Sequence, residues 1–381
     1  MDMLDRGKIS VLQMCLSMYL MVGATAILII PAITAKEAKQ DMWISPFWGS
    51  LSGFLAVWLA WSLYRLTPGK SIIQTGEAVL GPRLGKAAAL LYILFLVHGA
   101  GLIVREYGEF IVGTILLKTP IVVVMGSIVL TAAFAVRSGI EVLGRFSLLL
   151  GPLFGLFLIG IVLLLIPRYE PTHMLPVMEN GLRPSLAGAV TPLTWFMEFL
   201  FISFLFPHLR AEETHKALRA GMWAVALMLV TMVIANLSAL FLFGEITGRM
   251  FFPVFNASHY ISMAEFLEHL DAMVMALWVM GGFFQISMWY YVTVISVAQC
   301  FHLSDYRPIV YSVGILIIVF SLWLAPGFAD LINLFTTSEP FYSATMQILL
   351  PALTLIIGLI KRRRRPLSAE AEKVVNRKGN G

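Results

Sequence analysis

The chain has 381 residues, 59% of them hydrophobic and 13% charged, with a mean hydropathy of +0.85. Soluble domains carry about 25% charged residues, so this composition excludes an ordinary soluble enzyme, and its hydrophobicity excludes a disordered chain. The formal charge of +5 leaves a nucleic-acid surface to be judged from where the basic residues fall.

A helical membrane span needs about 20 apolar residues, and a barrel would show alternating segments of about ten residues instead. Apolar runs punctuated by Pro, Gly and charge place ten helical spans near residues 9–34, 44–65, 87–113, 120–136, 141–166, 186–206, 217–243, 272–299, 308–325 and 341–360. The first run follows Arg6 and Lys8 and contains Ala24-Thr25-Ala26, as a signal peptide would. It is longer than the roughly 7–15 apolar residues of a signal core, so we expect an uncleaved first span. Phe251–His269 is polar and aromatic, which suggests an exterior loop with a short interfacial helix. Cys15 and Cys300 both lie in apolar segments and behave as small hydrophobes, without disulfide or metal. The expected organisation is one transmembrane domain over residues 1–365, with half-repeats near 9–166 and 186–361, and a polar, disordered cytoplasmic tail over 366–381.

Basic residues set the orientation. With a cytoplasmic N-terminus and ten crossings, twenty of the 27 Lys and Arg residues fall inside, six outside, and Arg105 within a span. That asymmetry predicts both termini in the cytoplasm. The run Lys361 to Arg365 directly follows the last span and faces anionic lipid, so the basic surplus calls for no nucleic-acid partner.

Ten spans divide into five plus five of opposite orientation, an arrangement of many secondary transporters. The openers of the two halves are the interrupted ones. The first carries Gly23 with Pro31 beyond it, and the sixth carries Thr191-Pro192 and ends at Pro207. Two readings are open: an ordinary proline kink, or broken helices lining a cavity. In the second, half-helix N-termini suit a carboxylate and unwound carbonyls suit an ammonium, so a zwitterion fits.

Glu198 lies deep in the sixth span, where a bare charge costs about 2.5–3.5 kcal/mol by insertion scales. It is either a ligand-ammonium partner or proton-titrating group, or a structural hydrogen-bonding group. Arg105 and Glu109, at i and i+4 with Glu106 beside them, form an ion pair or a gate; His98 is a core histidine. Asn236, Gln285, Ser287, Tyr290 and Tyr291 line a polar path or hold helices together. No phosphate loop, His-Glu-x-x-His, metal-spaced Cys/His set or nucleophile elbow occurs, so no catalytic residue, metal or cofactor is expected.

Several ordered motifs resemble the spore-germination protein family, the GerAB/GerKB/YndE-like B subunits of germinant receptors. They are Gly7-Lys8-Ile9-Ser10 through Gly23-Ala24-Thr25 to Pro31, Thr119-Pro120, the run Arg137-Ser138-Gly139-Ile140-Glu141-Val142-Leu143-Gly144-Arg145, Glu198 with Phe206-Pro207, and the basic end. The likeness covers about residues 5–362. It implies the amino acid–polyamine–organocation superfamily, an all-α LeuT-like core with helices 1 and 6 broken, and residence in the endospore inner membrane with A and C receptor subunits. It further implies a small germinant, often an L-amino acid, in a mid-membrane pocket. By analogy that pocket uses Gly23, Ala24 and Thr25, with Thr191, Thr194, Phe196 and Glu198 opposite. Arg145 either replaces a bound cation, as in proton-coupled relatives, or snorkels to the membrane surface. The alternative function is an autonomous proton-coupled amino acid transporter on the same fold.

Overall fold

Ser10 opens the first helix, α1 (Val11–Ala38), with a reciprocal cap: its hydroxyl accepts from the Gln13 N–H, and the Gln13 side chain accepts from the Ser10 N–H. The computed structural model describes residues 4–258 and 270–363. After α1 come α2 (Ser45–Leu66), the short α3 (Ile72–Leu80), α4 (Pro82–Thr114), α5 (Ile121–Ser138), α6 (Ile140–Leu165) and α7 (Arg183–Met197). Then follow α8 (Ile202–Leu205), α9 (Ala217–Phe243), α10 (Pro253–Ser258), α11 (Leu270–Cys300), α12 (Val310–Leu324), α13 (Phe328–Thr337) and α14 (Glu339–Ser343). The last continues through a π-helical stretch, Ala344–Leu349, into a helix that runs to residue 363.

Among the described residues, nine helical segments are long and apolar enough to cross a membrane by length and composition. The tenth expected span is α2, 22 residues long, whose Trp, Ser and Gly content lowers its hydropathy. Among the described residues the regular structure is helical apart from one parallel bridge, Ile9 to Leu209. It is an integral multi-pass membrane protein. The short interfacial helix expected after Phe251 is α10; residues 259–269 and the tail 366–381 lie outside the described residues.

Burial separates centre from periphery. The most apolar 18-residue stretch is 94% buried in the first span and 89% in the sixth, but 28% in the fifth and ninth. Spans one and six therefore form the core of the bundle, and the others turn leucines, isoleucines and valines outward to lipid. The turn between α5 and α6 depends on Gly139, at φ +88°, where a Cβ would also press on the Asp5 carboxylate.

The expected break in the first span does not occur: α1 is continuous through Gly23 and Pro31. A proline inside a helix frees one carbonyl and bends it, and a helix buried on all sides holds its remaining ladder despite one glycine. The sixth span does break, but six residues beyond Pro192. Glu198–Phe201 tightens into 3-10 turns, followed by α8 and a second 3-10 turn, Phe206–His208. Side chains of α2 also bond the backbone of α7: Ser45 donates to the Ser185 carbonyl at 2.8 Å, and Ser52 to the Leu193 carbonyl at 2.9 Å.

The segment before α1 is clasped to the end of the sixth span. Ile9 donates to the His208 carbonyl at 2.9 Å, and Arg210 donates back to the Ile9 carbonyl at 3.2 Å. Glu213 accepts from the Val11 N–H at 3.0 Å, capping α1. Asp5 accepts from the N–H groups of Gly7 and Ile140, each at 2.8 Å, and from the Tyr291 hydroxyl at 3.0 Å. One carboxylate thus ties the N-terminus to α6 and α11. Beside this clasp a polar vestibule of about 520 Å³ is lined by Asp5, Ser71, Gln74, Glu77, Gln299 and His302, among others.

Candidate functional site

The break in the sixth span turns Glu198 into a small interior cavity between the third, sixth, eighth and tenth spans. Its polar lining is Glu106, Thr194, Glu198, Glu339, Ser343 and Gln347; Trp195, Trp289 and Phe335 supply rings. The space is about 20 Å³, enough for one water-sized group.

Polar groups in this wall are poorly satisfied. Trp289 Nε1 donates to Glu198 Oε2 at 3.4 Å, and Ser343 Oγ donates to Glu339 Oε1 at 2.8 Å. Both oxygens of Glu106, Glu339 Oε2, Thr194 Oγ1 and Gln347 Oε1 are buried without a hydrogen-bond partner. Buried polar groups are nearly always paired, and each orphan costs about 1–3 kcal/mol. Five unpartnered polar atoms thus converge on this wall. His98 Nδ1 lies 3.9 Å from Glu339 Oε2, against the edge of the Tyr342 ring.

At the far end from the clasp, Arg105 donates to Glu109 Oε1 through Nε at 2.9 Å and Nη2 at 2.6 Å, and to the Pro326 carbonyl at 2.9 Å. That carbonyl lies between α12 and α13, so Arg105 fixes the start of α13. From the same helix Phe335 meets Trp195 edge-on, centroids 5.1 Å apart. The ion pair expected at Arg105 and Glu109 is present, and it anchors the helix that covers the cavity.

The candidate ligand residues divide. Thr194 and Glu198 line the cavity. Thr25 is one contact removed, accepting from the cavity residue Trp195 at 3.0 Å. The position where Gly23 would carry a Cβ faces Met228 and Phe154, and Ala24 packs against Gly281. Thr191 is buried in α7, while Phe196 packs on Gly49 and Gly53 of α2, away from the cavity. Arg145 corrects the cation-replacement idea: its side chain is 71% exposed and pairs with Glu141 at 2.5 Å, so it does not reach the first and eighth spans. The polar path of α9 and α11 is mostly adhesive. Asn236 donates to the Met42 carbonyl, Tyr290 to Val310 and Tyr291 to Asp5, while Gln285 and Ser287 are buried without partners.

Sequence reasoning missed Glu339, Gln347 and Trp289 and noted Glu106 only as a neighbour of Arg105. Glu106 carried a usable signal. It lies about 100° around the helix from Arg105, so it turns to a different face. Among the described residues no cluster of His, Cys, Asp or Glu is arranged to hold a metal ion.

Comparison with known proteins agrees with this architecture. Nucleobase-cation-symport-1 transporter Mhp1, in a closed conformation with bromovinylhydantoin, superposes with a TM-score of 0.69 at 12% identity, over 94% of this chain and 80% of that one. MhsT in complex with L-phenylalanine gives a TM-score of 0.68 at 13% identity, over 93% and 99%. Both are LeuT-fold transporters, and the expected five-plus-five helical fold holds. Spore germination protein KB of Bacillus subtilis is 28% identical over 375 residues, 97% of this chain and 99% of the relative. Spore germination protein XB of Bacillus anthracis is 22% identical over 275 residues, 70% and 76%. A family model described as spore germination protein matches residues 8–329, and the chain belongs to that family.

Proposed function

We propose that this chain is the B subunit of a germinant receptor. It binds a small nutrient, an amino acid, in the mid-membrane cavity and passes the event to A and C subunits. The observation that carries this reading is the cavity at the 3-10 break of the sixth span, where Thr194 and Glu198 meet a wall of orphaned polar atoms. The germination relatives and the small-molecule complexes of its structural neighbours support it.

The chain acts by binding, without catalysis or cofactor. Its site lies between two closures, the Ile9–His208 clasp at one end and the Arg105-anchored α13 at the other. A ligand shifts the arrangement of these closures only by its differential affinity for the alternatives. The protein sits in the endospore inner membrane with both termini cytoplasmic, and the exposed Arg362 and Arg363 at the end of the last helix meet anionic lipid.

Spores whose receptor carries Glu198→Gln test the proposal. At normal chain abundance they lose the response to their nutrient; an intact response would overturn the site. A second reading, an autonomous proton-coupled amino acid transporter, draws on the symporter-like fold. Counterflow uptake by the purified chain alone would favour it, whereas a response that needs co-expressed A and C subunits, with no uptake, favours the receptor.

A further inference from the structure

The chemistry of the cavity wall narrows the ligand, an inference that rests on the reading of the cavity as a binding site. Three carboxyl groups reach it from three helices: Glu106 from α4, Glu198 from the break after α7, and Glu339 from α14. Glu106 is 1% exposed with both oxygens unpartnered, and Glu339 keeps one oxygen unpartnered. Two further groups, independent of the carboxyls, are aimed into the same space without partners. They are the Thr194 hydroxyl, 6% exposed, and the Gln347 carbonyl, 1% exposed.

Every unpartnered atom of the wall can accept a hydrogen bond, and the hydroxyl, like a protonated carboxyl, can also give one. Among the described residues no Lys or Arg lines the space. Arg105, next to Glu106 in sequence, is committed to Glu109 and to the Pro326 carbonyl. A ligand carboxylate placed here would meet three acidic groups and no Lys or Arg to balance its charge at a desolvated site. A primary ammonium offers three donors and one positive charge, which matches what the wall lacks. The space of about 20 Å³ takes such a head group, and the Trp195 and Phe335 rings border it.

We infer that this cavity is an amine-recognising pole: Glu106, Glu198 and Glu339, with Thr194 and Gln347, hold a primary ammonium group, and a ligand carboxylate is not required there. The ligand class is therefore a compact primary amine, of which an amino acid is one member, and its carboxylate lies outside this pole.

The test compares probes on the purified full-length chain in lipid nanodiscs by calorimetry. The probes are L-alanine, L-alaninamide, which keeps the ammonium and loses the carboxylate, N-acetyl-L-alanine, which does the reverse, and sorbitol as a neutral solute. Alaninamide should bind at least as tightly as alanine, and N-acetyl-alanine at least about tenfold more weakly, the scale of losing a charged hydrogen-bonded group. Glu106→Gln should weaken alaninamide by about tenfold, and the wild-type probe series stands on its own if that variant fails to fold. N-acetyl-alanine or sorbitol binding in preference to alaninamide, with loss on Thr194→Val, would overturn the amine assignment and leave the site in place. No binding by any probe, together with intact germination in Glu106→Gln, Glu198→Gln and Thr194→Val spores, would overturn both.

Discussion

The N-terminal clasp and the mid-membrane cavity are both polar, and they handle polarity in opposite ways. In the clasp, Asp5 collects two backbone N–H groups and a tyrosine hydroxyl, and the Ile9 backbone is bonded on both sides. In the cavity, Glu106 has no partner, and Thr194, Glu339 and Gln347 each leave an atom bare. A saturated network fixes structure, because removing any member strands another. An unsaturated one costs stability and is retained where a ligand completes it. The contrast gives each region its own mutational signature.

The largest stability loss should come from Asp5→Ala. It strands the Ile140 N–H and the Tyr291 hydroxyl, and at about 1.5–3 kcal/mol for each hydrogen bond to a charged group the loss is about 3–6 kcal/mol, toward the lower end because Asp5 is only half-buried. Thermal unfolding in detergent reads this as a clear fall in Tm; a Tm within a degree of wild type would show that the clasp is not structural. Next is Gly99→Ala. A Cβ there would sit inside the Trp289 ring, overpacking by about 1–3 kcal/mol and moving the indole that donates to Glu198. Stability and amine binding should fall together.

Glu106→Gln should separate the two readouts. It removes a buried carboxyl that has no partner to strand, so stability stays within about 1 kcal/mol of wild type or rises, while alaninamide binding falls. A large loss of stability would mean that Glu106 belongs with the clasp in kind. The smallest effect belongs to Arg145→Gln. Its pair with Glu141 is largely exposed and contributes about 0.5 kcal/mol or less, so Tm and nutrient response should both hold.

Much of the fold was legible in the sequence because a membrane imposes length. Each crossing needs an unbroken apolar run, and the runs from 9–34 to 341–360 correspond to helices. The finer punctuation was not: α4 and α6 start at Pro82 and Ile140, before the 87 and 141 expected from the apolar runs. Interruption was not. Gly23 and Pro31 looked like a break in the first span, but packing on every side keeps α1 continuous, whereas the sixth span breaks at Glu198 rather than at Pro192. Glu339 was hidden because the tenth span was drawn from its apolar run at Phe341, leaving the glutamate outside. The tie from Asp5 to Tyr291 joins residues 286 apart in the chain, which no local pattern announces. Glu198 was visible because a carboxyl at that depth must be protonated, paired or turned to a polar cavity.

The most direct measurement is germination of spores in which Glu198→Gln is the sole receptor change, scored on single nutrients with chain abundance measured in parallel. The account predicts normal abundance with the nutrient response lost. Normal abundance with an unchanged response would place the binding event elsewhere in the receptor and contradict it.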